Sequence, residues 1–273
     1  NIFFGKAEPF KIFEGDIDSL NLNFKNLSPD ACPKISFLEI EIEGSINTYK
    51  PYLENYFSLL GNNKTNLFTD ISNYVSYELG QPTHCFDANT INHQLIFENR
   101  NCDESFKTLL GSDIKLKDKN CIFLINNEII SLAGVMGGAS TACSTNTKKA
   151  LVECAYFTPE AIIGKSVKYN LTSDAAHKFE RGVDIQAQKK LLRRFIEIVS
   201  DHAVIRSIKI QTYEETQAQL NSIPKSVKKI NKILGIDIEE KEYLTYLSKL
   251  DFGIGKEIVV PSHRHDISSQ NDL

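Results

Sequence analysis

Between Ser36 and Glu43, Leu38, Ile40 and Ile42 alternate with Glu39, Glu41 and Glu43, the period of a strand with one buried face. A helix is expected next: Pro51 suits a first-turn position, Leu53, Tyr56, Phe57 and Leu60 share a face, and Gly61 stops it. The pattern predicts a second helix from Asp70 to Gly80, with Tyr74, Val75 and Leu79 inward. The middle of the chain reads as strands at 94–97, 121–125, 128–133 and 150–154, with Asn126-Asn127 as a two-residue turn tolerant of positive φ. Thr158-Pro159-Glu160 opens a helix expected to end near Asn170. A longer helix over 184–200 carries Leu191, Leu192, Phe195, Ile198 and Val199, and a strand over 203–210 follows. Beyond a polar stretch, a helix stopped by Gly235, a helix through Leu244, Leu247 and Leu250, and a strand at 258–260 make a small unit.

The fold expected from this order is α+β (mixed α/β), a larger β-rich domain followed by a small helix-helix-strand domain. Residues 1–28 read as the tail of a preceding domain, 29–211 as the large domain and 212–222 as a linker. Residues 223–273 read as a small domain cut short at its C-terminal end. Asn1 is not a start methionine, so the chain is expected to begin inside a longer protein, and Asn1-Ile2-Phe3-Phe4 lacks the basic leader of a secretory signal.

Composition narrows the function. With 273 residues, 41% of them hydrophobic, the chain can bury a sizeable core, and its net charge of −4 argues against a protein that wraps duplex nucleic acid. Any RNA contact is expected to be local. No apolar run nears the roughly 20 residues of a membrane-spanning helix. Six cysteines without a CxxC pair argue against a zinc knuckle or a disulfide framework and for a reducing cytoplasm.

Four segments carry candidate chemistry: Gly80-Gln81-Pro82-Thr83-His84-Cys85-Phe86-Asp87, Ala133-Gly134-Val135-Met136-Gly137-Gly138, Leu151-Val152-Glu153-Cys154-Ala155-Tyr156-Phe157, and Thr172-Ser173-Asp174-Ala175-Ala176-His177-Lys178-Phe179-Glu180-Arg181-Gly182-Val183-Asp184. A carboxylate in an apolar strand, as at Glu153, needs a reason: it faces solvent on an edge strand or lines a pocket. Paired glycines at 137 and 138 form a tight turn or let backbone N–H groups approach a ligand. His84, just past a helix stop, is a satisfied structural residue or projects into a cleft. Ser173-Asp174 begins a helix or lines a site. Glu180, Arg181 and Asp184 read as an ion-pair scaffold. His263 and His265, two apart on a predicted strand, lack a third metal ligand, so no metal site is expected.

In this order the four segments resemble the editing module of the bacterial phenylalanyl-tRNA synthetase beta subunit. Pro261-Ser262-His263-Arg264-His265-Asp266-Ile267 is similar to the closing strand of the next module. The resemblance covers residues 29 to 273. It implies a hydrolase for mischarged tyrosyl-tRNA(Phe), supporting aminoacylation by the alpha subunit, with no synthetic site in this stretch. It places His84 and Ser173 in catalytic positions. Glu153, Gly137, Gly138 and Ala175 would form the tyrosine pocket, with Glu153 accepting the phenolic hydroxyl. It puts Asn63 and Lys64 near the RNA end, where the family carries an arginine, and it puts Ser173 where the family has threonine. Thr172 stands where many members have histidine, and histidines stand in the closing motif where the family prefers aromatics. Implied partners are the alpha subunit in a heterotetramer, tRNA(Phe), and tyrosine or a tyrosyl ester, in the cytoplasm and without a membrane. No cofactor is implied for this stretch; ATP and Mg would serve the whole synthetase. Two other classes fit the same residues: a structural or tRNA-binding module without hydrolysis, and a thiol hydrolase using Cys85 and His84. For the hydrolase reading, a positioned water is the expected nucleophile.

Overall fold

The computed structural model of the chain describes residues 10–44, 48–215 and 220–273. The chain divides into two compact units, one built almost entirely of residues up to Glu215 and the other almost entirely of residues beyond it.

The larger unit opens with the short strands β1 (Asp18–Ser19) and β2 (Phe24–Asn26), then β3 (Lys34–Glu43). Helices α1 (Pro51–Leu60) and α2 (Leu67–Leu79) follow, then β4 (His84–Asp87). A long hairpin, β5 (Leu95–Lys107) and β6 (Asp113–Ile125), leads to β7 (Glu128–Leu132), the two-residue β8 (Met136–Gly137) and β9 (Lys149–Tyr156). The short helices α3 (Pro159–Ile162), α4 (Lys165–Lys168) and α5 (Asp174–Phe179) precede α6 (Gln188–Ser200) and β10 (Val204–Glu214).

These strands form two mixed sheets, β1-β10-β3-β9-β4 and β2-β5-β6-β7-β8. Phe37 and Phe86 from the first sheet share a core with Phe97 and Phe123 from the second. The other face of the first sheet, through Leu38, Ile40 and Val152, packs under α1, α2 and α6. The order is therefore helices, sheet, sheet. Strand β9 is buried on both faces from Ala150 to Ala155. In β3 the buried Leu38, Ile40 and Ile42 alternate with the more exposed Glu39, Glu41 and Glu43. That alternation pins the register, because a slip by one residue would turn the glutamates into the core.

The α+β class expected from the sequence is found, and several elements differ in extent. Helix α2 starts at Leu67, because the Asn66 side chain caps it by accepting from Thr69 N at 3.0 Å. The single helix expected from Thr158 is two, broken at Gly164 with φ 75°. The strand expected at 94–97 extends to Lys107 and finds its partner from Asp113 on. The supposed tail is part of the larger unit: β1 pairs with β10, β2 pairs with β5, and Leu20 is buried. Residues 1–9 of that expectation lie outside the described residues. The expected linker begins too early, since Thr212, Tyr213 and Glu214 are hydrogen-bonded to β3 and Tyr213 packs edge-on against Phe24. Asn126 and Asn127 do adopt positive φ at the β6–β7 turn.

The smaller unit contains β11 (Ser222–Pro224), α7 (Val227–Leu234), α8 (Glu240–Lys249), β12 (Gly253–Ile254) and β13 (Glu257–Val259). Its sheet runs β11-β13-β12 around a core with Ile223, Ile230, Leu247 and Ile258. Ser226 caps α7, and Gly235 ends it in the left-handed region, the stop that the sequence predicts. His263 and His265 fall in turns rather than on a strand, so the expected shared face does not form.

Candidate functional site

Strand β9 is where the two cores meet. Ala150, Val152 and Cys154 point into the core under the helices, and Leu151 and Ala155 into the core between the sheets. By the period of two, Glu153 faces the second sheet with Leu151 and Ala155. It is no edge residue: β9 is flanked by β3 and β4, and Glu153 is only 4% exposed. Its direct cross-strand partner on β4 is His84. Two residues in that relation have Cβ atoms about 5 Å apart on one face.

Both groups open into one recess of about 360 Å³, open space at its mouth included. Its walls come from Pro82, Thr83 and His84 on one side, Ser131, Leu132 and residues 134–137 on another, and Ala175 and Phe179 of α5. Burial pushes the Glu153 carboxyl up to about 8, and no charged or hydrogen-bonding neighbour among the described residues offsets it. Burial alone pulls the His84 imidazole down to about 4. His84 Nε2 is buried without a hydrogen-bond partner among the described residues, while the ring stands edge-on to Phe86 at 4.4 Å. Two adjacent polar side chains thus lack the partners that buried polar groups ordinarily have.

Gly137 closes the recess from β8. Across the ladder Gly138 N donates to Ile130 O at 2.9 Å, so the facing pair Ser131 and Gly137 exchanges no bonds of its own. The Gly137 N–H and C=O therefore point away from β7. The carbonyl accepts from Leu109 N at 2.9 Å, and the N–H meets no acceptor among the described residues. A Cβ at 137 would collide with His84 Cε1. Gly138 lies outside the recess wall; a Cβ there would strike the Ile130 carbonyl and Phe106, so this glycine serves packing.

Ser173 is also off the wall. Its hydroxyl donates to Val135 O at 2.6 Å and accepts from Ala176 N at 3.1 Å, capping α5. It pins α5, and with it Ala175, to the loop that forms the opposite wall. Cys85 points the other way from His84, into the core under the helices, where Sγ donates to Phe68 O at 3.4 Å and burial holds the thiol well above its usual range. This is the opposite of what a thiolate nucleophile needs.

A second recess, of about 820 Å³ with its open mouth, shares Pro82, Thr83 and Ala175 with the first. Asn63 lines it, with Asn62, Asn73, Tyr56 and Tyr77. Lys64 does not: its ammonium grips Glu54 at 2.6 and 2.8 Å and lines a different depression beside Tyr49 and Asp70. The cation in the second recess is Lys178, which sequence reasoning passed over; it donates to Ser76 O and Oγ at 2.6 and 2.8 Å. Its position four residues after Asp174 on a short helix was the available signal. The expected ion-pair scaffold does not form among the described residues. Glu180 accepts from Gly164 N, Arg181 donates to His177 O, and Asp184 accepts from Gln186 N.

Comparison with known proteins places this geometry in a family. The family model for the B3/4 domain matches residues 44–204, and that for the tRNA synthetase B5 domain matches residues 223–273. The phenylalanine–tRNA ligase beta subunit of Burkholderia lata is 29% identical over 251 residues, covering 90% of this chain and 31% of that protein. The beta subunit from Neisseria gonorrhoeae is 32% identical over 209 residues, 75% of this chain and 27% of that protein. The chain spans about a third of the length of the curated relatives it matches. Among solved structures, an N-terminal fragment of the phenylalanyl-tRNA synthetase beta subunit from Pyrococcus horikoshii aligns with TM-score 0.45 at 12% identity, over 94% of this chain and 73% of that one. No helix among the described residues is long and apolar enough to cross a membrane. The chain belongs to the B3/4 domain family, continued by a tRNA synthetase B5 domain, in the arrangement of phenylalanine–tRNA ligase beta subunits.

Proposed function

We propose that the recess receives the tyrosyl end of a mischarged tRNA(Phe) and holds its ester for hydrolysis. The observation that carries this reading is the pair Glu153 and His84, side by side on one sheet face in a recess, with His84 Nε2 unpartnered among the described residues and the Glu153 carboxyl raised by burial alone. Tyrosine and phenylalanine differ by one hydroxyl, so shape alone separates them poorly. A tyrosine hydroxyl would donate to a Glu153 oxygen and accept from the Gly137 N–H. With phenylalanine in place both groups stay unpaired, a cost of about 1–3 kcal/mol.

The second recess supports a longer ligand, since it continues the first and offers phenol rings, side-chain amides and the Lys178 ammonium to a nucleotide. The alpha subunit and tRNA(Phe) are the partners this reading calls for, with the cytoplasm as its setting.

The nucleophile in this reading is water. Ser173 has both its hydroxyl functions committed and Cys85 faces another core, so neither is poised to attack the ester. His84 orients the ester or the water through Nε2. The same commitment of Ser173 favours a second reading, a module that binds the tyrosyl-tRNA end without cleaving it. Deacylation of tyrosyl-tRNA(Phe) and phenylalanyl-tRNA(Phe), measured for the full chain and for a beta subunit in complex with alpha, separates them. Selective loss of the tyrosyl ester supports hydrolysis. Selective binding with no loss above the uncatalysed rate supports the binding module. Equal treatment of both esters defeats both readings.

A further inference from the structure

The wall that carries Gly137 is weak by itself. Strand β8 has two residues and lies at the edge of its sheet. Its outer side is covered by the tip of the β5–β6 hairpin, whose residues are 28 positions or so earlier in the chain. Leu109 N donates to Gly137 O at 2.9 Å, and Thr108 forms an isolated bridge with Gly138. The tip is closed on itself. Thr108 N donates to Ser112 O and Gly111 N to Thr108 O, both at 2.9 Å, and the Thr108 hydroxyl lies 2.7 Å from Ser112 Oγ and 3.1 Å from Ser112 O. Thr108 is fully buried, although the leucines beside it at 109 and 110 are 42% and 74% exposed. A buried hydroxyl at an exposed hairpin tip is placed to hold the shape of the tip. The Leu109 side chain lies against Gly137 as well: a Cβ at 137 would come within 2.9 Å of Leu109 Cδ1 and would strike His84. The bare glycine therefore sits clasped between the hairpin tip and the histidine ring.

Resting on the reading above, we infer that residues 108–112 are a specificity-determining positioning element of the recess. The tip holds the Gly137 carbonyl through the Leu109 N–H and so aims the free Gly137 N–H, which belongs to the neighbouring peptide plane, at the para substituent of the ligand. The tip touches no substrate. It acts through Gly137, and what it controls is the preference for a hydroxylated ring over a bare one. An amide that swings by a few tens of degrees loses a directional hydrogen bond and keeps its apolar surroundings. Phenylalanine, which makes no such bond, is indifferent to the swing.

The test uses the full chain and two probes, tyrosine and phenylalanine, titrated calorimetrically, with thermal unfolding run in parallel. Thr108→Val removes the hydroxyl and keeps the side-chain volume. It is expected to cut the tyrosine preference by about 5-fold or more, the loss of one ordinary hydrogen bond, while phenylalanine affinity holds. Thr108→Ser should restore the preference. Leu109→Ala retains the N–H and should keep it, whereas Leu109→Pro deletes the donor to Gly137 and should lose it. Wild-type chain that binds both amino acids alike overturns the pocket reading and this inference with it. Wild-type preference that survives in Thr108→Val overturns the inference alone. So does an equal loss of both amino acids, because the tip would then be structural only.

Discussion

Replacing Glu153 by glutamine gives the sharpest test of the site, because the consequence can be worked through before any ligand is added. The carboxyl is 4% exposed, has no offsetting partner, and is raised from 4.5 to about 8 by burial. In the unfolded chain it ionises near its ordinary value. Between those two values the folded protein holds a proton that the unfolded chain has released. Stability contributed by the protonated acid is fully present below about pH 4.5 and falls as pH rises through about 8, by up to about 1.4 kcal/mol per pH unit. Summed over that window the loss is on the order of 4–5 kcal/mol, a large share of a typical domain's stability. Glutamine has no proton to lose. Urea unfolding of wild type and Glu153→Gln, at several pH values from about 5 to about 9, should give curves that nearly coincide at the acid end and diverge with rising pH, the variant becoming the more stable. His84 does not confuse the comparison. Its depressed value contributes stability that is present above about 6.5 and lost as pH falls through about 4, the opposite sign, and both proteins share it. A stability difference that is flat across the range would refute the reasoning. It would mean that Glu153 is solvated or partnered, and that its availability to a ligand has been misjudged.

Glu153→Ala should lower the preference for tyrosine over phenylalanine by about 5- to 150-fold, the equivalent of about 1–3 kcal/mol, in calorimetric titrations with the two amino acids; an unchanged ratio moves the pocket elsewhere. Ala175→Trp fills the wall shared by both recesses and should abolish binding of both amino acids about equally, a steric effect readable in the same titrations. Gly137→Ala must push aside His84 and Leu109, and it should cost about 1–3 kcal/mol in thermal unfolding together with the tyrosine preference; a silent substitution would show the wall to be looser than described. Cys85→Ala should leave deacylation unchanged, and a large drop would revive the thiol mechanism.

The sequence was legible where the local pattern and the tertiary environment agree. Helix α1 shows its proline and its glycine stop, and both hold; of its expected apolar face Leu53, Tyr56 and Phe57 are buried, while Leu60, in the last turn, is exposed. Glu153 stood out because β9 is otherwise apolar on both faces, and that same two-sided burial forces the carboxylate inward. The outer half of the β5–β6 hairpin was not legible. Its strands are mostly polar, and the apolar residues that turn inward there, Cys102, Phe106, Ile114 and Leu116, are too sparse a signal for a strand period. The hairpin tip at Gly137 was hidden with it, since nothing local links Leu109 to a glycine so far along the chain. The roles of Ser173 and Lys64 depend on partners distant in sequence: Val135 for the serine, and for the lysine a glutamate one helix earlier. Composition reads a polar stretch at 212–222 as a linker, yet its first residues are fixed by pairing with a strand nearly 180 positions upstream. Such pairing leaves no trace in the local pattern.

The neighbouring Glu153 and His84 do not behave as an ion pair: each is shifted by burial alone, and in opposite directions. From about pH 4 to about pH 8 the folded protein therefore carries a protonated acid beside a neutral imidazole, and the recess is polar and uncharged. That state suits a neutral phenol and a neutral ester, neither of which has to shed charge to enter. It also limits the chemistry. An imidazole whose conjugate acid ionises near 4 is a weak base at neutral pH, so proton abstraction by His84 can supply only a small part of any rate enhancement. What this arrangement does supply is orientation: a rigid cross-strand pair, a clasped glycine amide and a helix pinned by Ser173. Hydrolysis in this recess would then follow from holding water and ester in line. Its rate should change little between about pH 5 and about pH 7, since water is the nucleophile and neither side chain of the pair titrates in that range. A deacylation profile with a clear inflection near 6.5 would show instead that ligand binding restores the histidine to its solvated basicity and makes it the base.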